Sequence, residues 1–234
     1  AIIIEGELFS WKPESNEKKL LYSSQDLIER TGYLHALVID SEGNYNMAVG
    51  DGLLQISKDL KNHQIYGEVD PLRHMKVLSI TEHSNGDLWL GTFSDGIQIF
   101  KNRNKTFKSV QLADGLLSNT VAAIEEDENG HMWAGTFNGV SCINPENYEV
   151  LTTLTEDDGL ANNESNRFSS AKFEDVRIAI GTISGFSVIT PASSLADSNT
   201  YNIPEVFLSA AYWRDSESKE KKAVYGQVND EIIL

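Results

Sequence analysis

The chain has 234 residues and a net charge of −16, with 35 acidic against 19 basic side chains, and so has room for one sizeable all-β domain or two smaller ones. Its bases are spread out rather than clustered, which excludes a surface built to displace counterions from nucleic acid, and an apolar content of 40% with five prolines excludes a disordered chain. The single cysteine, Cys142, excludes a disulfide within the chain, and no run approaches the roughly 18 apolar residues of a membrane-spanning helix.

In chain order, residues 1–11 (AIIIEGELFSW) read as the tail of a second strand, a turn and a third strand, and residues 18–23 as a fourth strand. The first residue is not methionine and no basic start with an apolar core marks a signal peptide, so the sequence is expected to be a processed or excised segment. Residues 77–100 (VLSITEHSNGDLWLGTFSDGIQIF) and 121–143 (VAAIEEDENGHMWAGTFNGVSCI) repeat one another almost position for position. Each copy reads as an alternating strand, a polar turn with glycine, a strand carrying Trp89 or Trp133, a tight turn after Gly-Thr, and a third strand. Fainter copies at 35–56 and 168–189 align Gly50, Gly91, Gly135 and Gly181, with steps of 91−50 = 41, 135−91 = 44 and 181−135 = 46. Fourth strands are supplied by Thr106-Phe107-Lys108-Ser109-Val110 and Glu149-Val150-Leu151-Thr152-Thr153.

A period in the forties with four short strands per unit predicts an all-β fold of β-propeller blades, each a four-stranded antiparallel meander. Whole blades are expected at 35–69, 76–112 and 121–155, with a fifth beginning near Arg167. Three whole and two partial blades over 1–190 make an incomplete propeller fragment. A break at Pro191 opens a linker over 191–203, and 204–234 forms a short appended β segment: a strand over 205–213, a charged loop over 214–222 and a further strand at 231–234.

Strands in a meander alternate direction, so the turn between second and third strands shares a face with the connector to the next blade. That face gathers Phe93, Asp95, Phe137, Asn138, Ile183 and Ser184, with Asn119 and Asn163 ending the connectors. Aromatic rings interleaved with Asp and Asn suit a carbohydrate, which offers an apolar ring face for stacking and hydroxyls for hydrogen bonds. The candidate ligand-binding residues are therefore Phe93, Asp95, Asn119, Phe137, Asn138 and Asn163. The competing reading is that Asp and Asn satisfy turn backbones while the rings plug gaps between blades. Trp89 and Trp133 read as core. His35, His63, His74, His83 and His131 lack zinc-ligand spacing, and the acids 125–128 lack the oxygen spacing of a calcium loop. No cofactor is expected and no catalytic constellation can be assembled.

Ser84-Asn85-Gly86-Asp87-Leu88-Trp89 resembles the Asp-box turn of sialidases, a turn motif without catalysis. The two strong copies, with the connectors Ala113-Asp114-Gly115-Leu116-Leu117-Ser118-Asn119 and Asp157-Asp158-Gly159-Leu160-Ala161-Asn162-Asn163, resemble the two-component regulator propeller repeat over roughly residues 1 to 190. The second and fifth units depart from it, with Tyr45-Asn46-Met47 and Arg177-Ile178-Ala179 at the tryptophan position. The resemblance implies the periplasmic sensor region of a Bacteroides-type hybrid histidine kinase, membrane-anchored elsewhere, that responds to glycans. It implies no catalysis by this segment, which carries no kinase parts. Residues 204–234 resemble the opening of the YYY sandwich domain that follows such propellers. A propeller lyase or hydrolase and a plain interaction scaffold are the alternatives. The expected partners are an oligosaccharide or other small ligand and a second copy, paired through Ile2, Ile3 and Ile4 or Val206, Phe207 and Leu208, with no membrane contact by this segment.

Overall fold

A computed structural model describes residues 2–4, 7–23, 36–49, 52–66, 75–191, 210–214 and 221–225. His35, Gly50, His74, the linker after residue 191, Val206 to Leu208 and the expected strand at 231–234 lie outside the described residues. The chain divides into two units, residues 1–196 and 197–234.

The first unit is an incomplete propeller of five antiparallel sheets taken in sequence order. The first has three strands, β1 (Ile2–Ile4), β2 (Glu7–Lys12) and β3 (Glu17–Tyr22). Three four-stranded blades follow. The second is β4 (Ala36–Ile39), β5 (Tyr45–Val49), β6 (Gly52–Ile56) and β7 (His63–Tyr66). The third is β8 (Val77–Glu82), β9 (Leu88–Thr92), β10 (Ile97–Lys101) and β11 (Thr106–Val110). The fourth is β12 (Val121–Glu126), β13 (Met132–Thr136), β14 (Gly139–Ile143) and β15 (Val150–Leu154). The fifth has β16 (Ser165–Lys172), β17 (Ile178–Thr182) and β18 (Gly185–Ile189). In the second unit β19 (Ala210–Arg214) pairs with β20 (Lys221–Tyr225).

The core lies between blades, in one apolar layer per junction. Leu8 packs with Met47, Val49 and Ile56; Ala48 and Leu53 pack with Val77, Leu88 and Leu90. Trp89, Ile97 and Ile99 meet Val121, Ile124 and Ala134, while Trp133, Val140 and Cys142 meet Ile178 and Ile180. Because side chains alternate along a strand, Leu88 and Leu90 serve the junction before their blade and Trp89 the junction after it, so a middle strand must be apolar on both faces. That explains why β9 and β13 are buried at every position.

The first strands β4, β8, β12 and β16 approach one another, and the glycine before each Gly-Thr threonine makes room for them. A Cβ on Gly91 would stand 2.3 Å from Ser79 Oγ and 2.5 Å from the Val121 carbonyl oxygen, closer than real Cβ atoms come. Polar stitches add to the apolar layers: the Glu82 carboxylate accepts from the Ser41 backbone N–H (2.8 and 2.9 Å) and hydroxyl (2.8 Å) of the preceding blade. Glu126 accepts from the Ser84 N–H at 2.8 Å in the same way.

Candidate functional site

The motif Asp-Gly-Leu-x-x-Asn builds a rigid connector on one face of the propeller. Asp114 Oδ2 accepts from the Gln111 N–H, Gly115 closes the one-turn 3-10 helix in a left-handed conformation (φ 104°), and Leu116 drops into the core. Asn119 Oδ1 then accepts from the Leu112 N–H at 2.7 Å. The next connector repeats this, with Asp158 on the Thr155 N–H, Gly159 at φ 98° and Asn163 Oδ1 on the Glu156 N–H at 2.7 Å. The Asn119 and Asn163 backbone carbonyls accept from Gly96 and Gly139, tying each connector to the turn between second and third strands.

Gly-Thr has an equally local cause. The Thr92, Thr136 and Thr182 hydroxyls donate to the carbonyls of Gly96, Gly139 and Gly185 and accept from the N–H groups of Asp95, Asn138 and Ser184. Each tightened turn leaves the residue after its threonine exposed: Phe93 at 47%, Phe137 at 37% and Ile183 at 57%. Phe93 and Phe137 stand edge to face with ring centroids 6.5 Å apart, and the Lys76 ammonium lies 6.0 Å from the Phe93 ring. Asp95 Oδ2 accepts from the Ser94 hydroxyl at 2.7 Å, and Asn138 Nδ2 donates to the Leu117 carbonyl at 3.5 Å. All six expected residues thus belong to turns and connectors of one face. Two aromatic rings meet there, whereas the oxygens of Asn119 and Asn163 are committed to the backbone.

Beside Phe137 opens a pocket of about 550 Å³, within the usual size of small-molecule sites, lined also by Glu164, Ser165, Asn166, Arg167 and Ser169. These residues form a bulge at the start of β16. Val77 to Ile80 and Val121 to Ile124 each span three positions between equivalent ladder partners, whereas Ser165 to Ser170 spans five. The bulge is fastened from within: the Ser169 hydroxyl reaches the carbonyls of Asn166 (2.5 Å) and Gly181 (3.0 Å), and Asn166 Nδ2 donates to the Thr182 carbonyl at 2.8 Å. Phe168 sits in the left-handed region (φ 54°) and is 57% exposed. Its two inserted residues account for the lengthening of the glycine step from 44 to 46, because Gly91 to Val121 and Gly135 to Ser165 are equally long. The period of the repeat therefore carried the only signal of the bulge, and the residue types carried none.

On the opposite face, ligand-capable atoms of Asp127, His131 and Cys142 lie within 4.8 Å of one another. Asp127 is already occupied, since its oxygens accept from the backbone of Asn129 and His131, from His131 Nδ1 and from Trp133 Nε1. Asp40 holds the second blade's turn in the same way, with Asn44, Asn46 and Gln55 at the positions of His131, Trp133 and Cys142. Burial, helped by the Asp127 charge, pushes the Cys142 thiol up to about 12, so the thiol is protonated at neutral pH. The cluster is a turn device packed on core.

Residues 71–94 and 115–138 match the family described as two component regulator propeller. No curated protein matches the chain. Among solved structures, the extracellular domain assigned to the hybrid two component system BT3049 of B. thetaiotaomicron is similar with TM-score 0.64 and 19% identity, over 92% of this chain and 29% of that one. The corresponding domain of BT4673 from the same organism gives TM-score 0.57 and 16% identity, over 82% of this chain and 31% of that one. The chain thus spans about a third of the length of those relatives. Virginiamycin B lyase of Staphylococcus aureus, an enzyme, shares the fold with TM-score 0.55 and 14% identity, over 94% of this chain and 78% of the lyase. The all-β propeller and its repeats thus stand on three sides, the ladder, the core layers and the sequence match, and over residues 71–94 and 115–138 the chain is built of two component regulator propeller repeats.

Proposed function

We propose that this chain is a periplasmic, ligand-sensing and signal-transmitting part of a two-component sensor of the hybrid histidine kinase type, non-catalytic in itself and responsive to glycans. The repeat match and the shared fold of two extracellular sensor domains support the sensor role. The observation that carries ligand binding is the pair Phe93 and Phe137, two half-exposed rings edge to face on the connector side. Rings left uncovered at equivalent turns of successive blades offer stacking surface to flat apolar faces such as those of sugars. The lyase shares the propeller, but catalysis needs paired acid and base groups, and among the described residues Glu164 is the single carboxylate lining the pocket there.

Calorimetric titration of the chain against a panel of neutral and acidic oligosaccharides tests the reading. Saturable heat with at least one glycan, lost on Phe137→Ala, supports it. Silence across the panel, with turnover of any glycan or none, overturns it.

A further inference from the structure

We infer that the bulge of the fifth blade is a binding site for an acidic sugar, a uronic-acid residue whose carboxylate pairs with Arg167 while its ring lies against Phe137. The inference rests on the glycan-sensing reading and narrows it to a charge class and a place.

Four observations converge. The first is the bulge itself. Two residues are inserted where the neighbouring blades have none, and Asn166 and Ser169 hold it by three hydrogen bonds, so it is a built feature rather than a slack loop. The second is Phe137, whose ring lines the pocket and is 37% exposed, an apolar surface open to stacking.

The third is charge. The chain carries 35 acidic side chains against 19 basic ones, yet among the described residues Arg167 forms no ion pair with any of them. An exposed guanidinium beside an aromatic shelf presents a planar fork of donors matched to a carboxylate. The fourth is the remainder of the lining. The Glu164 carboxylate can accept hydrogen bonds and Asn166 lines the pocket with it, groups suited to hydroxyls. A ligand with one carboxylate, several hydroxyls and an apolar ring face satisfies all of these together; a purely anionic ligand would leave Glu164 opposed.

The test is calorimetric titration of the full chain with digalacturonate and, separately, with its neutral counterpart galactobiose. Digalacturonate is expected to bind at least about tenfold more tightly, and Arg167→Met to remove that preference while Arg167→Lys keeps part of it. Phe137→Ala should weaken both disaccharides. Among the described residues the Arg167 side chain makes no hydrogen bond or ion pair, so unchanged thermal unfolding of Arg167→Met checks that the loss is one of binding. Equal affinity for the two disaccharides, or an affinity for digalacturonate indifferent to Arg167→Met, overturns the acidic-sugar site and leaves glycan sensing standing. Absence of heat with both disaccharides also overturns the site, while glycan sensing falls only if the wider panel is silent too.

Discussion

Trp133 Nε1 donates to Asp127 Oδ2 at 3.0 Å inside the fourth blade, and the second blade keeps that bond with another donor, Asn46 Nδ2 on Asp40 Oδ2 at 2.9 Å. In the third blade the acid is replaced by His83. Its Nδ1 accepts from the Asn85 N–H as the carboxylate would, and its Nε2 donates to the Gly130 carbonyl of the next blade at 3.0 Å. The cost is that Trp89 Nε1 is buried without a partner. Trp133→Phe removes a hydrogen bond to a buried carboxylate, worth about 1.5–3 kcal/mol, whereas Trp89→Phe removes only an unsatisfied donor. Urea unfolding of the two variants is expected to show Trp133→Phe as the more damaging by at least about 1 kcal/mol; equal losses would deny the bond its role.

These residues also mark what a sequence can and cannot tell. The repeat, the strand order and the burial of both tryptophans follow from spacing, because a blade must present alternate residues to two neighbours at a fixed interval. Tyr45-Asn46-Met47 reads as a lapse from the motif, yet Asn46 preserves the hydrogen bond, since what the turn requires is a donor at that position rather than an indole. Topology puts Asn119 and Asn163 on the connector face, but it does not say which atom a carboxamide spends on its own backbone. The bulge at Ser165 to Ser170 was visible only as a longer step, because no residue type demands it.

On the connector face the two kinds of residue should separate experimentally. Replacing Phe137 and Asn138 together by alanine removes an exposed ring and a weak 3.5 Å contact, so stability should change by roughly 0.5 kcal/mol while glycan affinity falls. Asn119→Ala or Asn163→Ala frees a backbone N–H at the start of a connector and should cost about 1 kcal/mol. Trp133→Ala, a core truncation, should cost about 3–5 kcal/mol. Thermal unfolding beside calorimetry checks the ordering. A Phe137 and Asn138 double variant as unstable as Trp133→Ala would mean that the turn is packing and not a site.

The thiol predicts a pH dependence. Folding raises the Cys142 thiol to about 12, mainly by burial, against about 8.5 in an unfolded chain. The folded state holds the proton longer, so this contribution is intact below about pH 8.5 and is lost as pH rises towards 12, at roughly 1 kcal/mol per pH unit. Tyrosine and lysine titrate in the same window, so the measurable quantity is the difference from Cys142→Ala, whose stability should fall less steeply between pH 8 and 10 (roughly). Parallel slopes for the two proteins would show that the thiol is not protected by the fold, as would rapid labelling of Cys142 at neutral pH.

The last expectation concerns the fifth sheet's outer side. Phe186 and Val188 are 65% and 39% exposed, whereas their equivalents in the fourth blade, Val140 and Cys142, are at 1% and 0% because the fifth blade covers them. The edge of β18 that in β10 and β14 is paired by a fourth strand has no partner strand among the described residues. An apolar flank next to an open edge attracts further β structure. A second copy, carrying the same kind of blade and its own open strand β1, is an occupant that matches it in both respects. We therefore expect self-association of this chain at micromolar concentration. Light scattering should give about twice the 26.0 kDa mass, and Phe186→Lys or Ile3→Lys should return it to one chain. A mass near 26.0 kDa for the unaltered chain rules the association out. Association untouched by both lysines would place the contact elsewhere on the propeller.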